Sequence, residues 1–296
     1  MTSGARPRRI ALAAVLLLVA SAVWAWAGAA VGAGPSPRVQ LRLLRFVDRS
    51  RQAKFRNGTS GPRVLVTEVR YPTRGHAPFP LIVFAHGFAE RPDVYVRILD
   101  AWARAGYVVA APVFPVENAS APGGPDESDL TNEPGDLSFV ISRLTALARL
   151  RHLIDPRRVA VAGQSDGAEA ALSVAYDRRF RDRRIDAAIV LSGAALPGFS
   201  QPPPGSPPIL AVQGTRDPFN SPSTTAYYFR LMRRPKFLVW LVGAAHLEPY
   251  TTNDRWARVV RRTTTAFLDH SLRGAPLHRL VDAGTQTGIA RLESDP

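Results

Sequence analysis

Arg158-Val159-Ala160-Val161-Ala162-Gly163-Gln164-Ser165-Asp166-Gly167-Ala168-Glu169-Ala170-Ala171-Leu172 reads as an apolar strand, a glycine-flanked serine and a helix-forming run. Five of these residues, 163–167, fit G-x-S-x-G. That pattern alone arises by chance in roughly one in ten chains of this length. Its setting is more specific. A strand that must turn at once into a helix forces the central residue into strained backbone, and glycines on either side leave room for the bend. The serine then stands at a helix N-terminus, where free amides and the helix dipole favour negative charge. Ser165 is therefore the candidate nucleophile.

Outward from this stretch, apolar β-favouring runs alternate with helical patterns. Strands are expected at 39–47, 63–71, 81–85, 107–113, 159–162, 185–191, 209–213 and 237–242. Helices are expected at 94–105, 137–151, 168–176, 223–232 and 256–268. Strands separated by helices imply an α/β fold, a mostly parallel sheet with helices on both faces and ligands bound beyond the carboxyl ends of the strands. Two proline-rich loops, 115–134 and 197–208, follow strand ends and are expected to wall the pocket; no large cap domain fits between the elements. The expected domain plan is 35–62 as linker and first strand, 63–272 as catalytic domain and 273–296 as a C-terminal tail.

A G-x-S-x-G serine calls for an acid and then a histidine further along the chain. Of the six histidines, His246 follows the strong strand 237–242 through Gly243-Ala244-Ala245 and is the candidate base. His270 and His278 lie in or beyond the last helix. Asp217, after strand 209–213 and the turn Gly214-Thr215-Arg216, is the candidate acid that would orient the imidazole. His86-Gly87-Phe88 follows strand 81–85. In this arrangement the oxyanion is held by the amide after the nucleophile, here Asp166, and by one from this loop, assigned to Phe88. His86 is read as a structural part of that loop.

These four segments resemble the α/β-hydrolase superfamily, and within it the dienelactone-hydrolase-like and platelet-activating-factor-acetylhydrolase-like esterases, with cutinases and polyester hydrolases as relatives in layout. The stretch 134–141, Pro-Gly-Asp-Leu-Ser-Phe-Val-Ile, is similar to one that precedes the elbow strand in those proteins. The resemblance covers roughly 64–268. It implies the α/β-hydrolase fold and a Ser-His-Asp serine esterase that needs no metal or cofactor and acts on small or lipid-like esters. Two departures stand out. The stretch 191–196 lacks the platform Trp of polyester hydrolases, and Asp166 replaces the apolar residue often found after the nucleophile. A carboxylate there is expected to disfavour anionic substrates. A peptidase or acyltransferase on the same scaffold, and a catalytically silent binding protein of the cell envelope, remain the alternatives.

Composition narrows the rest. Hydrophobic residues make up 46% and charged residues 21% of 296, ordinary for a globular protein. The net charge of +14 comes almost wholly from scattered Arg, since Lys occurs only at Lys54 and Lys236, so no basic stripe points to nucleic acid. Without Cys, thiolate chemistry and disulfides are excluded. Arg6, Arg8 and Arg9 precede an apolar run from Ile10 to about Ala33, so residues 1–34 read as an export segment. It is either a cleaved signal or an anchor long enough to span a bilayer, through which the protein would associate with a membrane. A monomer is expected.

Overall fold

Strand β3 (Phe79–Ala85) shows how the core is divided. Side chains alternate along a strand, so Leu81, Val83 and Ala85 enter one apolar layer while Ile82 and Phe84 enter another. Strand β5 (Ile154–Gln164) does the same with Val159 and Val161 against Ala160 and Ala162. Both faces of these central strands are covered, which explains their unbroken apolar runs. A computed structural model describes residues 39–296; the export segment expected over 1–34 lies outside the described residues. Among them no helix is long and apolar enough to cross a membrane.

The sheet has nine strands in the order β1-β2-β4-β3-β5-β6-β7-β8-β9. Strands β1 (Val39–Lys54) and β2 (Ser60–Pro72) form an antiparallel hairpin, and β2 runs antiparallel to β4 (Val108–Val113). From β4 through β3, β5, β6 (Ile185–Leu191), β7 (Ile209–Gly214) and β8 (Lys236–Leu241) every pairing is parallel. One face carries α2 (Glu133–Ala146), α3 (Asp166–Tyr176) and α4 (Pro222–Leu231); the other carries α1 (Val96–Arg104) and α6 (Arg255–Arg273). A four-residue turn of helix, α5 (Glu248–Thr251), follows the His246 loop. This is the α/β-hydrolase fold, a mostly parallel sheet with helices on both faces.

Three expectations change. The stretch 273–296 is part of the fold: α7 (Leu277–Gly284) buries Leu280, and β9 (Ala290–Asp295) pairs antiparallel with β8. An edge strand needs only one buried face, and Ala290 and Leu292 supply it between polar neighbours. Strand β1, expected over 39–47, runs on to Lys54 in the same sheet. Helix α2 begins at Glu133, four residues before the expected start, with Pro134 in its first turn, where a missing N–H costs nothing.

The loop after β4 is tied down by a buried guanidinium. Arg63 of β2 is 0% exposed. Its Nη1 and Nη2 donate to Asp129 at 2.8 and 2.6 Å, and its Nε and Nη2 donate to Asp136 at 2.8 and 2.6 Å. Arg51 adds a bond to Asp136 at 2.6 Å. Two fork-like pairings use the flat donor geometry that Lys lacks.

Candidate active site

The elbow forms as its sequence requires. Ser165 has φ 55° and ψ −124°, between the end of β5 and the first turn of α3. No side chain could replace the glycines. A Cβ on Gly163 would lie 2.0 Å from the Gly167 carbonyl oxygen, and one on Gly167 would lie 2.4 Å from that of Ala85. The strained turn lifts Ser165 above the sheet, half-buried at the floor of a cleft of about 640 Å³.

The structure brings Ser165, His246 and Asp217 together. The Ser165 hydroxyl lies 3.0 Å from His246 Nε2, and His246 Nδ1 lies 2.8 Å from Asp217 Oδ2. The Asp217 carboxylate is held on both oxygens. Oδ1 accepts from the Phe219 and Asn220 amides at 2.9 and 3.0 Å, and Oδ2 also accepts from Gln213 Nε2 at 3.2 Å. Burial raises the Asp217 carboxyl, but the His246 contact and the two amides outweigh it and hold it below the usual carboxylate range. An ionised Asp217 keeps a proton on Nδ1 and leaves Nε2 free to accept one.

Around the mouth, Gly87 N–H donates to Tyr95 Oη at 3.2 Å and Ala89 N–H to the Glu117 carbonyl at 3.0 Å. The Phe88 amide between them takes no acceptor among the described residues, and the Asp166 amide, first in α3, has none within its helix. A Cβ on Gly87 would lie 3.2 Å from Ser165 Cβ, which shows how closely this loop approaches the elbow. His86 is fully buried. Its Nδ1 donates to the Gly87 carbonyl at 2.9 Å and its Nε2 accepts from Phe114 N–H at 3.0 Å. Burial pushes its pKa down to about 4, which keeps the ring neutral.

Two residues of the site carry no sequence signal of their own. Tyr95 Oη donates to Gln164 Oε1 at 2.7 Å, which turns the Gln164 amide nitrogen toward His246, 3.2 Å from Nε2 and 3.3 Å from the backbone oxygen. Tyr95 and Gln164 thus link the Gly87 loop to the imidazole. Their contact joins residues far apart in the chain, so no local period betrays it.

The cleft walls are acidic and aromatic. Glu90, Glu127, Glu169 and Glu248 line it, with Phe88 (40% exposed) on one lip and Phe219 (78% exposed) on the other, its ring 5.1 Å from that of His246. Burial pushes the Glu169 carboxyl up to about 7. Of the two proline-rich loops, only the first reaches the cleft, through Glu127. The second, 197–208, does not line it, because Leu196 and Phe199 are buried in the core beside α2 and α3 and hold that loop down. Its place is taken by 218–220 and 245–248.

A family model described as Chlorophyllase matches residues 48–220, a span that contains Ser165 and Asp217 but ends before His246. No curated protein matches the chain. Among solved structures, a ferulic acid esterase from Streptomyces cinnamoneus is similar to it with a TM-score of 0.64 and 24% identity, over 82% of this chain and 93% of that one.

Proposed function

The chain belongs to the chlorophyllase family of α/β hydrolases, and on that premise we propose that it is a serine esterase that works through an acyl-enzyme. The observation that carries this reading is the unbroken contact from Ser165 Oγ through the His246 ring to Asp217, at 3.0 and 2.8 Å. Ser165 attacks the ester carbonyl carbon while its proton passes to His246 Nε2. Asp217 holds the other side of the ring and stabilises the imidazolium. The Phe88 and Asp166 amides receive the negative charge that develops on the carbonyl oxygen. His246 then protonates the departing alcohol. A water, losing its proton to the same nitrogen, attacks the acyl-serine and releases the acid.

The cleft favours neutral or cationic esters. In a chain of net charge +14, no Lys or Arg among the described residues lines it, whereas four Glu and Asp166 do. The family's name points to chlorophyll and that of the solved neighbour to a ferulic acid ester. The open cleft and the lips Phe88 and Phe219 fit an apolar or aromatic group beside the reacting carbonyl. Export through residues 1–34, by cleaved signal or anchor, is part of the proposal and rests on the sequence alone.

Purified protein is expected to hydrolyse p-nitrophenyl acetate and butyrate, and to leave the corresponding p-nitroanilides intact. Faster turnover of the anilides would instead favour a peptidase, and no turnover of either would favour the silent binding protein.

A further inference from the structure

The turn that carries Asp217, residues 217–220, is gripped by the ends of two strands. From β7, the Gln213 amide nitrogen donates to the Asn220 carbonyl at 2.8 Å, to the Gly214 carbonyl at 3.1 Å and to Asp217 Oδ2 at 3.2 Å. Just past the end of β6, the Ser192 carbonyl accepts from Asn220 Nδ2 at 2.7 Å. Ser192 has φ 45°, strained for a residue with a side chain, and its hydroxyl pairs with Tyr250 Oη at 2.7 Å. Asn220 passes the hold on, since its backbone N–H is one of the two donors to Asp217 Oδ1. Gln213, Ser192 and Tyr250 are all buried, so these bonds are shielded from solvent.

The Gln213 amide can face only one way. Its Oε1 accepts from Thr225 Oγ1, in α4, at 2.7 Å, and Thr225 is 0% exposed. Turned over, the amide would set its oxygen against two carbonyls and a carboxylate, none of which can donate. It therefore presents N–H to the same carboxylate oxygen that His246 Nδ1 meets at 2.8 Å. A carboxylate out of water needs its lone pairs filled by donors. The Phe219 and Asn220 amides serve Oδ1. On Oδ2 the donors, among the described residues, are His246 and Gln213.

We propose that Gln213, oriented by Thr225, is a positioning residue that keeps the Asp217 carboxylate aimed at His246 Nδ1 while the imidazolium forms. The proposal rests on the reading of Ser165, His246 and Asp217 as a triad. A carboxylate that swings away leaves the imidazolium without its partner and lets the ring turn, so that Nε2 leaves the Ser165 hydroxyl. Gln213 does not line the cleft, so its loss falls on turnover and not on substrate binding. A purely structural role reads differently. If Gln213 served only to hold the 217–220 turn, its loss would shift Phe219, which does line the cleft, and would appear in KM.

Gln213→Met keeps the length of the side chain and removes the donor. Its kcat for p-nitrophenyl butyrate is expected to fall by about 10–100-fold, the usual effect of losing one hydrogen bond to a charged group, with KM nearly unchanged. Asp217→Ala alone is expected to lower kcat by about 10⁴-fold. Adding Gln213→Met to it should cost nothing further, because the group through which Gln213 acts is gone. Thr225→Val leaves the Gln213 amide in place but frees it to turn. It is expected to lower kcat by less than Gln213→Met does, and again to have no effect beside Asp217→Ala; where Gln213→Met does not fold, this pair of comparisons decides alone. A loss that persists undiminished beside Asp217→Ala, or one that appears in KM instead of kcat, marks Gln213 as merely structural and overturns the proposal. Native kcat in folded Gln213→Met overturns it too, while the triad stands. Native turnover in Asp217→Ala would instead sink the triad reading itself.

Discussion

Replacing Ser165 with Ala is expected to lower kcat/KM for p-nitrophenyl butyrate by about 10⁴–10⁶-fold, with an unchanged melting temperature and circular dichroism spectrum. The size follows from what is removed. The acyl-enzyme route disappears entirely, and only the oxyanion amides and the bound geometry remain to promote direct attack by water. The fold should not suffer. Ser165 sits half-buried at the cleft floor, and among the described residues its side chain hydrogen-bonds only to His246 and Asp166. Its φ of 55° is strained for Ala as it is for Ser. A residual rate within tenfold of the native one would place the nucleophile elsewhere.

Arg63→Ala is expected to destabilise the protein by about 3–5 kcal/mol, read as a lower midpoint of urea unfolding. The loss comes less from the ion pairs themselves than from what they leave behind, two buried carboxylates, Asp129 and Asp136, with most of their donors gone. That origin gives a control. Adding Asp129→Asn and Asp136→Asn to Arg63→Met, which fills the space with an apolar chain, should recover most of the loss, since replacing a whole buried ion cluster is often neutral. The same residues anchor the loop that brings Glu127 to the cleft, so Arg63→Ala should also lower activity below the unfolding transition. A loss of unfolding free energy under about 1 kcal/mol would mean that Arg63 is not the anchor described.

The parts of this molecule that could be read from the chain are those with a local cause. Residues 163–167 declare the elbow because the turn excludes any side chain at Gly163 and Gly167. The apolar run 81–85 declares a doubly covered strand. Asp217 and His246 follow strands β7 and β8, and the order of the strands brings both to the serine. What no local pattern reveals depends on pairings distant in sequence. Arg63 meets Asp136 across 73 residues, and Gln164 meets His246 across 82. Glu117 and Glu133 fall within the loop expected over 115–134, yet both are fully buried. Strand β9 is short and mostly polar, and only its register with β8 makes it a strand. The loop 197–208 departs from its expected place for a related reason: following a strand end does not decide whether a loop leans over the cleft or, as Phe199 makes it do, into the core.

The central claim is that Ser165 is an activated nucleophile whose reactivity depends on His246. A fluorophosphonate probe tests it without any knowledge of the natural ester. Native protein treated at neutral pH and digested should carry the phosphonyl group on the peptide containing Ser165 and on no other, while folded His246→Ala protein should label at least a hundredfold more slowly. Labelling at another serine, or labelling of Ser165 at the same rate without His246, would contradict the account.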